Sequence, residues 1–376
     1  MVRYLVIRLL LILPTLFGIM VINFIIVQFA PGGPVEQAIA QSTGMNMSST
    51  ASVSSASMGP SSESGYTGTE GVSPEFVAEL EKAFGCDKPP HERFLLMAWN
   101  YIRLDFGKSY YQDRPVLDMV LERLPVSMSL GIWALLLIYL ISIPLGVAKA
   151  TTDGQPFDVW TSGAVFIAYA IPGYLFAVIL IVVFAGGNYL NWFPMRGLVS
   201  EGFSELSLWG QLKDYFWHLA LPLTALTIGG FAMLTMLTKN SFLEEINKQF
   251  VLTARSKGLT ERRVLFGHVF RNAMLIVIAG FPAAFVGLLF TGALLIEVIF
   301  SIDGIGLLGY EAIVKRDYPI FFGTLFFFTL IGLFMQLVGD IVYTLVAPRS
   351  TSSPETDGSR ENPGKVASIT DQPATP

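Results

Sequence analysis

The chain has 376 residues, of which 52% are hydrophobic and 14% are charged, and its formal net charge is −5. Soluble globular domains carry about 25% charged residues, so this composition excludes an ordinary soluble protein. Most of the chain is therefore expected to lie in lipid, and no nucleic-acid partner is expected.

Six long apolar runs predict the membrane-spanning elements. A bilayer core of roughly 30 Å requires about 20 apolar residues in a helix. The six runs, which lack Asp, Glu, Lys, Arg and His, are Leu9–Val35, Leu124–Ala148, Val159–Met195, Leu219–Thr238, Asn272–Ile296 and Tyr318–Gly339. Barrel strands would be segments of about ten residues with a period of two. The sequence predicts an all-α integral membrane protein with six transmembrane helices, the third run leaving surplus residues for a loop.

The first run has an alternative interpretation as a cleaved signal peptide, because Arg3 and Arg8 precede it. Its length exceeds the apolar core of a signal peptide, which is about 7–15 residues. Phe29-Ala30-Pro31 is also a poor small-residue cleavage site. We interpret residues 1–35 as an N-terminal segment with a retained first span.

The distribution of Lys and Arg predicts the orientation, because basic residues near the ends of spans resist translocation. With the N-terminus inside, the inner segments contain Arg3, Arg8, Lys149 and the basic residues from Lys239 to Arg271. The short outer loops contain far fewer, and the long first loop exceeds the length of about 60 residues to which the rule applies. Both termini are predicted to be cytoplasmic.

The long outer loop, residues 36–123, begins with a compositionally biased part. Residues 41–71 are almost entirely Ser, Thr, Gly, Ala and Met. They have too little apolar surface to offset their ordering entropy, so we interpret them as a flexible insert. The tail, residues 348–376, is polar and Pro-rich and is predicted to be disordered.

The second part of the outer loop predicts two short helices. Ser73-Pro74-Glu75 gives an N-cap followed by proline at the first helical position, and apolar residues repeat at helical spacing from Phe76 to Phe84. A second helix is predicted over His91–Leu104. The single cysteine, Cys86, lies between them without a disulfide partner in the chain, and we expect it to be dispensable.

A basic loop, residues 239–272, joins the fourth and fifth spans. A segment this charged is not expected to lie in lipid, although it has apolar residues at helical spacing. Phe250, Val251 and Ala254 can share one face of a helix, which would present an apolar ridge to a partner.

Gly258 divides this basic loop into two predicted helices. Glycine suits the left-handed position that ends a helix, and Thr260 with Glu261 suits the start of the next one. The sequence therefore predicts a helix, a glycine turn and a second helix. A solvated positive-inside loop or a lipid-headgroup anchor would give the same pattern, and periodicity alone does not separate these interpretations.

Two glycine motifs resemble nucleotide-binding motifs in residue type but not in their predicted structural context. Gly304–Gly309 satisfies GxGxxG, but the motif follows a membrane helix instead of a β-strand. Gly107-Lys108-Ser109 matches the end of a phosphate-binding loop, but Ile102 stands where the first glycine is required. The chain is therefore not expected to bind ATP.

Metal binding and catalysis are also not expected. His91, His218 and His268 lie far apart in the predicted topology, so they do not form a metal site. No Ser, His and Asp set converges in the sequence. The chain is predicted to carry no catalytic residue and no cofactor.

The polar residues inside the spans are few. A charge at mid-bilayer costs about 2.5–3.5 kcal/mol, and Glu297 and Asp340 lie near span ends, where we expect them to reach interfacial water and fix helix ends or contacts between helices. Asn23, Gln28 and Gln336 either face a substrate path or hydrogen-bond neighbouring helices. The sequence assigns no substrate-contacting residue.

Several motifs resemble the integral-membrane subunits of ATP-binding-cassette (ABC) importers of the oligopeptide, dipeptide and nickel branch. Thr253–Leu259 reads TARSKGL against the branch's TARAKGL, and His268 precedes Arg271-Asn272-Ala273 as in HxxRNA. The general Glu-Ala-Ala form of the loop matches only at Ala254 and Gly258. Further matches are Pro31–Pro34, Asp105–Ser109, Leu124–Ser127, Glu297–Ser301 and Arg316–Pro319. The extended first loop and APGGPVEQAIA, residues 30–40, are similar to Yej-type permeases.

The resemblance implies a type I ABC importer permease fold in a bacterial inner membrane, with its core at residues 124–347 and a small extracytoplasmic helical insertion. It implies a second homologous permease subunit in a heterodimer, two ATPase subunits or one fused ATPase carrying ATP and Mg²⁺, a periplasmic substrate-binding protein and membrane lipid. The Yej-type family imports oligopeptides and the peptide–nucleotide antibiotic microcin C. The residues implied to contact the ATPases are Thr253, Ala254, Arg255, Lys257, Gly258, Leu259 and His268.

An alternative from another class is a stand-alone secondary transporter or channel. Such a protein would need buried ionisable residues, and usually internal repeats within one chain. Neither is evident in the sequence.

Overall fold

The computed structural model describes residues 2–29, 88–187, 189–288 and 293–346, and this part of the chain is built from helices. In chain order they are α1 Val2–Phe29, α2 Pro90–Ile102, α3 Val116–Thr151, α4 Pro156–Ala170, α5 Gly173–Phe184, α6 Leu208–Ile246, α7 Gln249–Ser256, α8 Glu261–Val264, α9 Phe270–Gly287, α10 Ala293–Ile299, α11 Ile305–Lys315 and α12 Tyr318–Val346. A π-helical turn, Leu265–Val269, joins α8 to α9. The predicted insert at 41–71, the helix predicted from Ser73, Cys86 and the tail at 348–376 lie outside the described residues.

Five of the described helices are long and apolar enough to cross a membrane, and the pair α4 and α5 gives a sixth span if counted as one. This number agrees with the six predicted spans. The helices of the second and fourth spans are longer than the apolar runs that predicted them. Helix α3 begins at Val116, and α6 extends over Leu208–Ile246. Charged residues end an apolar run, but they do not end a helix that continues beyond the lipid.

The third run, Val159–Met195, contains a bent pair of helices followed by the surplus residues that were predicted to form a loop. The run forms α4 and α5, whose axes differ by 92°, and irregular chain follows Phe184. Ile171, with φ −89° and ψ 116°, has left the helical region. The following residue, Pro172, explains the break, because proline disfavours helical geometry in the residue before it and lacks an N–H donor.

The described part of the fifth predicted span, Asn272–Ile296, consists of α9, Phe270–Gly287, and of α10 from Ala293, and residues 289–292 lie outside the described residues. On the other side, α8 and the π-helical turn lead directly into α9, in agreement with the second helix predicted after Gly258. The basic loop and the fifth span therefore form one connected path from Glu261.

Helices α3 and α6 pack closely against each other, and small residues make that approach possible. A Cβ atom added at Gly146 would lie 2.6 Å from the Cβ of Thr238, and one at Gly230 would lie 2.6 Å from the Cδ1 of Ile138. Spans that approach each other closely use small residues in this way, because lipid gives little hydrophobic driving force between them. The pair forms the centre against which α5, α7 and α9 pack.

The outer helix predicted over His91–Leu104 is present as α2, Pro90–Ile102. Its Phe94 ring contacts the rings of Phe17 and Phe24 on α1, with centroid distances of 5.7 and 5.4 Å. Its Tyr101 ring contacts Phe326 of α12 at 5.3 Å. Aromatic packing therefore fixes α2 across the first and last spans.

Candidate functional site

The coupling segment, residues 249–269, has the predicted arrangement of two helical parts joined by a glycine turn. Gly258 has φ +77°, a left-handed conformation that glycine adopts without steric cost. The N–H of Gly258 donates to the carbonyl of Arg255 at 2.9 Å, and the N–H of Leu259 donates to that of Ala254 at 3.3 Å. These bonds satisfy the last carbonyls of α7, so the end of the helix is well defined.

The apolar face of α7 does not project towards a partner, which corrects the predicted ridge. Val251 is fully buried and Ala254 is 7% exposed, in one cluster with Ala150 of α3 and Phe242 of α6. Phe250 packs on the edge of the same cluster. The face is buried because it covers apolar ends of the chain's own spans that would otherwise meet water.

The exposed face of the coupling segment contains most of the residues implied by the resemblance. Thr253, Arg255, Lys257, Gly258 and His268 are exposed, and Leu259 is half-buried. Leu252, which sequence reasoning missed, is 57% exposed on the same helix, and the alternation with buried Val251 was its signal. This face is mixed polar, basic and aliphatic, as suits a contact with another soluble protein surface.

The start of α8 differs in detail from the prediction. Thr260 occupies the N-cap position, but its side chain makes no capping hydrogen bond. Glu261 instead accepts hydrogen bonds from Nε and Nη2 of Arg255, at 2.8 and 3.0 Å. This two-point ion pair bridges the Gly258 turn and limits the relative motion of its two sides.

A cavity of about 410 Å³ lies between the coupling segment and the end of α3. Its wall includes Thr151, Val251, Arg255 and Phe266. Phe266 belongs to the π-helical turn and is 56% exposed. The cavity therefore combines an apolar wall with a charged rim of Arg255, Glu261 and Arg262.

A buried ionic cluster joins three helices near the coupling segment. Nζ of Lys149, which is fully buried on α3, lies 3.0 Å from Oδ1 of Asp158 on α4. Nζ of Lys239 on α6 lies 2.7 Å from Oδ2 of Asp158 and 2.8 Å from Oδ1 of Asp153. The sequence pattern indicated both lysines only as inner charges, and the signal for the cluster was the nearby pair Asp153 and Asp158.

Comparison with known proteins places this geometry in a family. Residues 142–352 match the family model described as "Binding-protein-dependent transport system inner membrane component". The chain belongs to this family. The match begins within α3, before Lys149, so it includes the whole ionic cluster, the coupling segment and α9.

Individual relatives place the chain in the YejB type of permease. It is 58% identical over 353 residues to the peptidoglycan transport system permease protein YejB of Agrobacterium fabrum, covering 92% of this chain and 97% of that protein. It is 56% identical to the inner membrane ABC transporter permease protein YejB of Escherichia coli O157:H7, covering 92% and 98%. The dipeptide transport system permease protein DppB of Escherichia coli K12 is 30% identical, with 93% and 98% covered. The chain is thus a permease subunit and not an enzyme.

The GxGxxG motif of the permease binds a carboxylate of its own chain. Glu297 on α10 is fully buried. Its Oε1 accepts from the hydroxyl of Ser127 at 2.6 Å, and its Oε2 accepts from the N–H of Leu307 at 3.0 Å. A Cβ at Gly304 would lie 2.4 Å from this carboxyl group, so the glycine permits the approach. The expectation that Glu297 reaches interfacial water is therefore wrong.

The Gly107-Lys108-Ser109 motif likewise hydrogen-bonds a buried carboxylate of the permease, through Ser109. The hydroxyl of Ser109 donates to Oδ2 of Asp317 at 2.6 Å, and Asp317 is buried at the end of α11. Tyr111 donates its hydroxyl to the carbonyl of Lys315 at 2.6 Å. Together with Glu297, these contacts hold both ends of α11. The two glycine motifs therefore have a structural role within the chain.

The remaining residues singled out in the sequence are dispersed. His91 and His268 are exposed, His218 is buried beside the carbonyl of Asp214, and no described group of three or more His, Cys, Asp and Glu could hold a metal ion. Oδ2 of Asp340 lies 3.2 Å from Nε of Arg8, which joins the last span to the first. Buried ionisable residues are present after all, as Lys149, Asp158 and Glu297, but each is paired within the chain.

Proposed function

We propose that the chain is a pore-forming subunit of an ABC importer that moves oligopeptides into the bacterial cytoplasm. Three named relatives support this proposal, because each is matched by this chain over more than nine-tenths of its own length. One of them is named as a dipeptide permease. The orientation of basic residues supports a topology with both termini in the cytoplasm. The coupling segment then faces the cytoplasm, where ATPases are available.

The partners follow from what the chain lacks and from the geometry of the coupling segment. The chain has no phosphate-binding loop, so separate ATPases must supply the energy. We propose two such subunits or one fused ATPase, a second homologous permease that completes the pore, and a periplasmic protein that delivers the peptide. ATP and Mg²⁺ would bind the ATPases and not this chain.

Force would enter through the exposed face of the coupling segment. Leu252 and Arg255 on α7 and Lys257 directly after it are exposed, while Val251 on the other face of α7 is buried against the chain's own spans. A push on the exposed face would therefore be passed through packed side chains to α3, α6 and α9. Close packing transmits such displacement, because a dense core compresses little. This two-faced helix, beside the Gly258 turn, is the observation that carries the proposed function.

The finer substrate assignment follows the YejB resemblance. We propose that peptide–nucleotide antibiotics such as microcin C enter by the same route as oligopeptides, since the peptide part would present the same backbone groups. One relative is named as a peptidoglycan transport permease, and peptide-bearing peptidoglycan fragments are a second substrate candidate within the same chemical class. Competition for uptake between a labelled oligopeptide and each candidate would rank them.

The test is reconstitution of the complete transporter in proteoliposomes with a photo-crosslinking residue in the permease. Crosslinkers at Leu252 and Lys257 are expected to capture the ATPase, whereas one at Trp160, which is 80% exposed on α4, is not. ATP-dependent uptake of a labelled oligopeptide is expected in the same vesicles. Capture of no ATPase at Leu252 and Lys257 in vesicles that transport peptide would refute the coupling role, and absence of uptake would refute the substrate assignment.

A further inference from the structure

A large groove lies between α6, α9 and α12, with a volume of about 1240 Å³. Each helix contributes one stripe of residues at helical spacing, as expected when three helices face a common space. The stripe on α9 includes Asn272, Ile276, Ala279, Ala283 and Val286. We call this space, with the lining residues of all three helices, the polar groove.

The polar groove opens at the end of the helix bundle that carries the coupling segment. Glu244 near the end of α6 and Asn272 near the start of α9 line its mouth, and Val286 and Thr329 line its deep end. Helical rise is about 1.5 Å per residue, so the stripe from Asn272 to Val286 is roughly 21 Å long. The groove therefore reaches most of the way across a hydrocarbon core of about 30 Å.

Three amide side chains distinguish the polar groove from a lipid-facing surface. Asn240, Asn272 and Gln336 are exposed to it, one from each helix. None of the three makes a side-chain hydrogen bond within the described residues. Unpaired amides are costly in hydrocarbon, and polar residues in spans face water-filled cavities or the interior of a bundle.

Small residues keep the floor of the groove open. Ala279, Ala283 and Gly287 of α9 present only small side chains to the part of the groove that they line. Beneath them, α9 and α12 are in contact, since a Cβ at Gly339 would lie 2.0 Å from Cγ of Pro282. The volume of the groove is thus set by tight packing at its base and small side chains on its wall.

We propose that the polar groove is this chain's half of the inner peptide path, and that Asn240, Asn272 and Gln336 hydrogen-bond the peptide backbone. This inference rests on the proposed function. A primary amide both donates and accepts hydrogen bonds, so it matches the N–H and C=O of a peptide bond whatever the peptide's side chains. Such recognition suits a transporter of peptides with varied sequences.

The test uses cysteine accessibility in the complete, nucleotide-free transporter in lipid nanodiscs, with Cys86→Ser as background. Ala283→Cys and Gln336→Cys place a thiol in the polar groove. Ala284→Cys and Phe334→Cys are matched controls, because both positions are exposed on the same helices but do not line the groove. The probe is a membrane-impermeant cationic methanethiosulfonate, and trialanine is the ligand, with free alanine as its control.

The groove thiols are expected to react more than about tenfold faster than the matched controls, since the reactive thiolate forms in water. Trialanine is expected to slow this reaction, and free alanine, which has no peptide bond, is not. Equal slow labelling of Ala283→Cys and Ala284→Cys would overturn the inference, because lipid or a span of the second permease would then cover the groove. Fast labelling without protection by trialanine would also overturn it. If peptide uptake by the same preparation persists in either case, the proposed function stands.

Discussion

Glu297 belongs to α10, but its carboxylate lies beside the start of α11, where hydrogen-bond donors surround it. Ser127 reaches it from α3, and Oγ of Ser127 also accepts from the N–H of Ile305 at 2.8 Å. The carboxylate therefore satisfies N–H groups that a helix start leaves unpaired, and its negative charge meets the positive end of the helix dipole. One residue thus joins α3, α10 and α11.

Substitution Glu297→Gln is expected to lower stability by about 1–3 kcal/mol, because its amide group would place N–H donors against the N–H of Leu307 in a buried site. The measurement is the unfolding midpoint of the purified complex in detergent. Asp303→Asn is the control, since Asp303 is 71% exposed in its ion pair with Arg123. Equal loss in both variants would contradict the capping role.

The ionic cluster at Asp158 is held together by buried ion pairs, whereas Glu297 is held by neutral hydrogen-bond donors. Lys149 is fully buried, and its charge is balanced by Asp158, which it shares with Lys239. Removing one member of a buried ion pair leaves an uncompensated charge, which costs more than the pair contributes when intact. Asp158 is consequently the member of the cluster whose loss the fold tolerates least.

Substitution Asp158→Asn is expected to cost about 3–5 kcal/mol, seen as lost folded complex after detergent extraction. Asp153→Asn removes the other carboxylate from the same Lys239, but Asp153 is half-exposed, so its loss is expected to cost about 1 kcal/mol or less. A combined Lys149→Met and Asp158→Leu variant would restore much of the yield, because neither charge is then left alone. Failure of Asp158→Asn to reduce yield would show that the cluster does not hold the spans.

At the scale of elements, the apolar runs predicted the spans well and their ends poorly. The run that begins at Leu124 gave α3, yet the helix continues outward to Val116 through Asp118 and Glu122, which no apolar run includes. The break at Pro172 was visible in the sequence as an X-Pro step, but prolines also occur inside α3 and α6, so proline alone does not predict a bend of 92°.

The coupling segment shows what local sequence can and cannot determine. The turn at Gly258 follows from one residue's backbone preference, and the structure confirms it with φ +77°. The direction of the α7 apolar face depends instead on α3 and α6, which are distant in sequence. Periodicity identified the face formed by Val251 and Ala254, but it carried no information on what would cover it.

Substitution Gly258→Arg is expected to leave membrane insertion intact and abolish peptide uptake. No atom lies within 4 Å of a Cβ built at Gly258, so the new side chain would meet no part of the chain itself. It would project from the exposed face, where we propose that the ATPase binds. The measurements are the amount of permease in the membrane and ATP-dependent uptake.

The control for this change is Gly154→Arg. Gly154 has φ +72° and open space around it, so both variants carry the same backbone strain, but Gly154 lies between α3 and α4. Uptake by the Gly154→Arg variant is expected to continue. Normal uptake by Gly258→Arg, or equal loss in both variants, would argue against a contact at the glycine turn.

At the scale of the whole molecule, buried polar groups tie the two ends of the helix bundle in different ways. At one end, Glu297 and Asp317 hold the short helix α11 against α3 and the loop that contains Ser109. At the other end, Asp158 holds α3, α4 and α6 beside the coupling segment. The polar groove opens at this second end. Long-range pairs of this kind are separated by up to 208 residues, so they were not predictable from local patterns.

Deletion of Ser42–Gly68 tests whether the outer loop is needed for assembly of the whole transporter. The deleted residues lie outside the described part of the chain, and their composition provides little apolar surface for packing. We expect the shortened permease to assemble and transport peptide at rates close to those of the full chain. A matched deletion of Pro90–Ile102, which removes α2 and its aromatic contacts with α1 and α12, is expected to reduce assembled complex. Co-purification of the ATPases and uptake in vesicles measure both effects, and loss of assembly on the first deletion would identify the insert as a structured contact surface.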